Sequence, residues 1–211
     1  MSAHVVSVNV GRIVEAAWAG RLRRTAIDKC RVAARVTIGE TGLEGDEQAD
    51  IPDHGGRDKA VYAFAREDLD RWERVLGRSL HNGQFGENLT TRELDVNQAL
   101  IGEHWRIGEA LLEVCSVRIP CRVFASWLRE NGWVRRFTED ARPGPYLRVL
   151  EPGGVAAGDP VEVVHRPAHD LTVTTAFQAL TTRPELLPLL LDAPALERQL
   201  ADRARGKPTL G

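Results

Sequence analysis

Two residues three apart, Arg118 and Cys121, carry the most specific chemistry in this chain. They fall within Leu111 to Gly132, which reads as strand, break and helix. Leu112 and Val114 are apolar around Glu113, whereas Cys115, Val117 and Ile119 are apolar around Ser116 and Arg118. The apolar phase flips between Val114 and Cys115, which predicts a bulge. Pro120 has no amide hydrogen to give a ladder and ends the strand. Val123, Phe124, Trp127 and Leu128 then follow helical spacing up to an Asn131-Gly132 stop. Cys121 is thereby placed at a strand-to-helix junction between Arg118 and Arg122. Unsatisfied amide hydrogens and cationic neighbours both favour thiolate, so Cys121 is a candidate ligand or nucleophile. The competing reading is a small buried hydrophobe, the commoner fate of a lone cysteine.

A second cluster is built on glycine. Gly39, Gly42, Gly45, Gly55 and Gly56 punctuate a stretch that also holds Asp46, Asp50, Asp53, His54, Asp58 and Lys59. Glycine permits positive φ and close backbone approach, so such a loop can wrap an anion with its amide hydrogens. The alternative is a turn-rich hairpin with polar decoration. No Walker sequence and no G-x-G-x-x-G after a strand is present. Zinc at His54, Asp46 and Asp53 lacks paired-ligand spacing and is disfavoured. A third, shorter loop, Gly83 to Leu89, carries Glu87 and Asn88 between apolar residues. Lys29 precedes a strand candidate and reads either as a cleft residue or as plain surface.

These residues need a scaffold, and short strands dominate it. Val5 to Val10, Val32 to Ile38, Ala60 to Phe64, Ile101 to Ile107, the central stretch, Tyr146 to Leu150 and Pro160 to Val164 read as strands. Arg12 to Thr25, with Trp18 and the basic Arg21, Arg23 and Arg24, reads as a hairpin or loop. Arg66 to Leu76 reads as a helix with Leu69, Trp72, Val75 and Leu76 inward, and Trp133 to Phe137 as another. Glu151 to Gly154 reads as a turn. Short strands with few helices between them predict a mainly antiparallel barrel or sandwich over residues 1–165. From 166 to 211 the texture turns helical, predicting a small three-helix domain in which Pro188 interrupts one helix.

Composition excludes little more. The 211 residues carry 27% charged side chains and a formal net charge of -2, which gives no support for nucleic-acid or membrane binding. Three cysteines without a C-x-x-C pair point to a reducing, cytoplasmic setting, and no signal peptide or membrane span is read.

Several motifs together resemble one family. GLEGD (Gly42 to Asp46), HGGRDKAV (His54 to Val61), FGENL (Phe85 to Leu89), IPC ending at Cys121 and YLRVLEPGGVAAGD (Tyr146 to Asp159) resemble MOSC, the molybdenum cofactor sulfurase C-terminal domain. The match is to its YiiM-like branch, in which three helices follow a β-barrel. The resemblance implies a pterin molybdenum cofactor with the metal ligated by Cys121. It implies pocket roles for Lys29, His54, Lys59, Asn88, Arg118 and Arg148, the cations meeting the pterin phosphate. It implies packing for Cys115 and no role for Cys30. The implied activity is reduction of N-hydroxylated compounds, hydroxylaminopurines among them, to amines. His54 would donate a proton or orient the glycine loop. No flavin, haem or iron–sulfur motif is read, so a separate flavin-type reductase would supply electrons. The helical tail would dock that reductase, act as a lid or make a homodimer. Two alternatives remain: a sulfur-carrier or cofactor-delivery module with a Cys121 persulfide, and a pyridoxal phosphate protein with its Schiff base on Lys59 or Lys29.

Overall fold

The structure is a computed structural model and describes residues 2–51 and 55–206. Its strands are β1 (His4–Val10), β2 (Val14–Glu15), β3 (Arg24–Thr25), β4 (Cys30–Val32), β5 (Val36–Gly39), β6 (Gly42–Leu43) and β7 (Val61–Ala65). After α1 (Arg66–Leu76) come β8 (Leu89–Arg92), β9 (His104–Ile107) and β10 (Ala110–Val117). Next are α2 (Arg122–Leu128), α3 (Trp133–Asp140), β11 (Pro145–Glu151), β12 (Gly153–Val155) and β13 (Val161–His165). The tail holds α4 (Val173–Thr181), a 3-10 stretch at Pro184–Asp192 and α5 (Arg198–Ala204).

The expected barrel is corrected to a mixed α/β architecture around an open sheet. Eight strands run in the order β13-β9-β10-β11-β7-β8-β1-β4, with β13 and β4 at its edges. β1 approaches β13 only through a single bridge between His4 and Pro160 and a few flanking backbone bonds, so no ladder closes the ring. Closure depends on strand tilt and stagger, which short alternating runs do not encode. Nor is the sheet purely antiparallel. β7 pairs parallel with β8, and α1 supplies the crossover that a parallel pair requires. Gly153 and Gly154 are a second correction. Instead of turning they form β12 and pair with Thr37 and Ile38 of β5. The run expected as one strand from Val32 to Ile38 is split into β4 and β5. Within α1, Leu69 and Trp72 are buried as expected, but Val75 faces solvent.

Three features of this framework position the site. The bulge lies where the phase flip placed it, with register slipping between Val114 and Ser116 against β11. Beyond it, β10 stays buried through Val117. An aromatic cluster fixes the helices: Phe124 of α2 meets Trp133 and Phe137 of α3 and Phe85 of the Gly83–Leu89 loop in edge-on contacts. That loop approaches β4 so closely that Gly83, at φ +90°, has no room for a Cβ against the Lys29 carbonyl. The tail packs back on the sheet, with Ile101 donating to the Leu171 carbonyl and Val173 to that of Ala99. The 3-10 stretch runs through Pro188, where an interruption was expected. Among the described residues no helix is long and apolar enough to cross a membrane.

Candidate functional site

The turn from β10 to α2 opens onto a pocket. Lys29, Lys59, Asn88, Arg118 and Cys121 all line it. Residues spread from 29 to 121 are therefore brought to one place. Cys121 is half-buried at the position preceding α2, in extended backbone. His54 lies outside the described residues. Arg148 is the exception: it does not line the pocket. Its guanidinium is taken by Asp58 (3.0 Å), Glu113 (3.3 Å) and the Ala195 carbonyl (2.8 Å), the last of which joins the tail to the sheet.

The two lysines are neutralised by carboxylates. Lys29 Nζ donates to Asp46 Oδ1, and both side chains are buried. Burial pushes the Lys29 pKa down, the Asp46 charge opposes that, and the Arg118 charge adds to it. Asp46 is also held by the Gly11 amide (2.7 Å) and by Asn88 Nδ2 (2.8 Å). Asn88 Oδ1 accepts from the Tyr62 amide (3.1 Å), so this amide side chain ties the loop to β7. Lys59 Nζ donates to Glu197 Oε1 at 2.7 Å. Ser116 donates to the other oxygen of Glu197, and the Glu197 amide donates to the carbonyl of Cys115 at 2.8 Å. The bulge thus leaves a carbonyl for the tail to satisfy. Glu197 comes from the segment expected to be a separate helical domain, and no local pattern marks it.

Arg118 differs. It is 7% exposed, and among the described residues no carboxylate pairs with it. Its Nη1 donates to Tyr146 Oη at 2.6 Å, and its guanidinium lies 5.5 Å from the Tyr62 ring and 5.2 Å from the Phe124 ring. Its Nε is buried with no hydrogen-bond partner among the described residues. Burial works against its charge, but Tyr146, Cys121 and Tyr62 facing it push its pKa up, so it stays a cation. Cation–π contacts return about 1 kcal/mol each, whereas an uncompensated buried ion costs on the order of several kcal/mol. The balance is left for an anion to supply. An anionic ligand with its charge at Arg118 and a soft centre at Cys121 fits this donor set.

Around the floor lies a closed polar network. Ser7 donates to Asn9, Asn9 to Thr90, and Thr90 to Glu87 at 2.9 Å. Glu87 is fully buried, which raises its pKa, and it also accepts from the Gly83 and Phe85 amides. This carboxylate shapes the loop that carries Asn88. Neither Ser7 nor Asn9 stands out in the sequence, because each sits in an ordinary alternating strand. Asp46 was visible as a loop acid, but not its clamp on Lys29.

The model of the MOSC domain matches residues 50–162. YflK of Bacillus subtilis is 35% identical over 172 residues, 82% of this chain and 78% of its own length. A protein named "Reductase" from Gibberella moniliformis is 30% identical over 196 residues, which cover 91% of this chain but 35% of that protein. Among solved structures, YiiM from Geobacillus stearothermophilus superposes with a TM-score of 0.81 at 26% identity, covering 97% of this chain and 98% of that one.

Proposed function

The chain belongs to the MOSC domain family, and from that premise we propose that it is a molybdenum-cofactor-binding oxidoreductase that reduces N-hydroxylated compounds of the hydroxylaminopurine type to amines. One observation carries the reading: a half-buried cysteine shares a pocket with a buried guanidinium that no carboxylate pairs with among the described residues. Cys121 Sγ would ligate the metal, and Arg118 would take the anionic part of the pterin. Lys29, Lys59 and Asn88 would add hydrogen bonds, with Arg148 holding the tail rather than the ligand. The MOSC cofactor, when bound, supplies two-electron transfer.

The overall balance is R–NHOH plus two electrons and two protons, giving R–NH2 and water. A separate flavin-type reductase would provide the electrons. Within the chain, Lys29 is the group whose ammonium is loosened by burial while Asp46 fixes its Nζ, which suits it to hold and release a proton. His54 is the other proton donor in this reading. The apolar contacts of Tyr62 and Phe124 around Arg118 keep water from its guanidinium, so its charge acts at low dielectric.

Molybdenum per chain tests the assignment, measured for wild type and Cys121→Ala purified from cells that make the cofactor. Near-stoichiometric metal in wild type and less than about a tenth of that in the variant is expected. Equal metal in both would remove Cys121 from the coordination shell. The same thiol beside the same cation also suits a persulfide, the sulfur-carrier reading. Metal-free wild type that carries a cyanide-releasable sulfur would favour it.

A further inference from the structure

We infer that the hairpin from Arg12 to Thr25, clasped to α2 by Trp18 and Trp127, is the specificity wall of this pocket and selects N-hydroxylated compounds bearing an aromatic ring over hydroxylamine itself. The inference deepens the reductase reading and rests on it for the reacting group.

The pocket lining mixes polar and apolar groups. The Lys29–Asp46 pair, Lys59 and Asn88 are among the polar ones. The hairpin contributes the apolar Ala19 and Leu22 together with Arg24 and Thr25, Ala26 and Ile27 follow just after it, and Val123 comes from α2. Trp18 and Trp127 stack across the junction, with ring centroids 6.0 Å apart and planes 25° apart. Trp127 is further fixed by its indole N–H, which donates to the Gln84 carbonyl at 2.8 Å. Val123 and Trp127 are four apart on α2 and share a face, so one helix carries the clasp and the wall together. Cys121 precedes that helix directly. The wall is thereby held in register with the thiol.

Exposure shows that this wall is unfinished. Leu22, which lines the pocket, is 42% exposed, and Trp18 of the same hairpin is 40% exposed. The backbone there is strained as well. Arg23, which ends the short 3-10 turn Gly20–Leu22, sits at φ +51°, a conformation costly for a residue with a Cβ. Leu22, the residue before it, lines the pocket. The flat face of an aromatic ring laid on Leu22 and Val123 would cover that surface while its N-hydroxyl group reaches the Cys121 end. Hydroxylamine has no ring and gains nothing from the wall.

The test compares wild type, Leu22→Ser and Trp18→Ala, both substitutions being at exposed positions. Metal-loaded proteins are assayed for kcat/KM with hydroxylamine, phenylhydroxylamine and 6-N-hydroxylaminopurine. Proteins made without the cofactor are measured for adenine affinity by equilibrium dialysis. In Leu22→Ser, the ratio of ring-compound to hydroxylamine kcat/KM should fall about tenfold, through KM, with adenine affinity falling by a similar factor. Trp18→Ala should give a smaller fall in both, because it loosens the clasp rather than the wall. An unchanged ratio together with unchanged adenine affinity in Leu22→Ser would overturn the inference. If loaded wild type reduces none of the three compounds while adenine binding still weakens in Leu22→Ser, the reductase reading fails and the wall stands.

Discussion

Cys115 and Cys121 sit six residues apart on one continuous stretch, yet the fold gives them opposite chemistry. Cys115 lies in the bulge, fully buried, with its Sγ donating to the carbonyls of Asp58 (3.2 Å) and Tyr146 (3.7 Å). Burial lifts its pKa from an ordinary 9.0 to about 12, and the Arg148 charge nearby is too weak to reverse that. Cys121 is half-buried, lines the pocket and faces the Arg118 charge. Residue type is therefore a poor guide to a thiol's role. The bulge turns one cysteine into packing, and the proline after the strand leaves the other at the pocket.

The largest expected effect is on reactivity. Only thiolate is alkylated at a useful rate, so a pKa near 12 in place of 9.0 slows Cys115 about a thousandfold at pH 8. Peptide mapping after timed iodoacetamide treatment of the metal-free protein should show Cys121 labelled well before Cys115. Comparable labelling of both would erase the contrast.

The same stretch shows what the sequence could and could not reveal. The bulge was legible because a phase flip is a local signal, and so was the Cys121 junction, set by Pro120 and the helical spacing after it. Helix α1 was legible from its stripe and its Gly77 stop. Strand β12 was not, because two glycines carry no strand preference and it takes β5 to give them a strand to pair with. Glu197 was out of reach for a different reason. It meets Lys59 across 138 residues of chain, a contact that periodicity does not encode. Arg148 matched a family motif, but its carboxylate partners draw it away from the pocket. Position in a motif set its identity, and neighbours set its direction.

Glu197 sharpens the comparison from the tail side. Its amide satisfies the Cys115 carbonyl while its carboxylate holds Lys59 and Ser116. Both members of the ion pair are largely buried, so Glu197→Ala strands an ammonium and a hydroxyl away from water. Removing one partner of a buried pair costs about 3 kcal/mol, and urea midpoints should register it. Glu197→Gln keeps the Ser116 contact and should lose less. Equal stability of all three proteins would mean that the tail is not fastened at the bulge.

The smallest effect belongs to Cys115 itself, and its sign depends on pH. At neutral pH, Cys115→Ala removes one buried sulfur from a small site, and a loss of about 1 kcal/mol is expected. Between pH 9 and 12 the unfolded chain releases the thiol proton while the folded chain keeps it. Unfolding is then favoured as pH rises, so the contribution of this thiol is whole below pH 9 and drains away toward 12. By pH 10 that linkage amounts to about 1.4 kcal/mol in wild type and is absent from the alanine variant. The two stability curves should therefore converge and cross near pH 10, with every other titrating group cancelling in the difference. Curves that stay parallel would place a labile thiol at position 115, and the contrast with Cys121 would then rest on access alone.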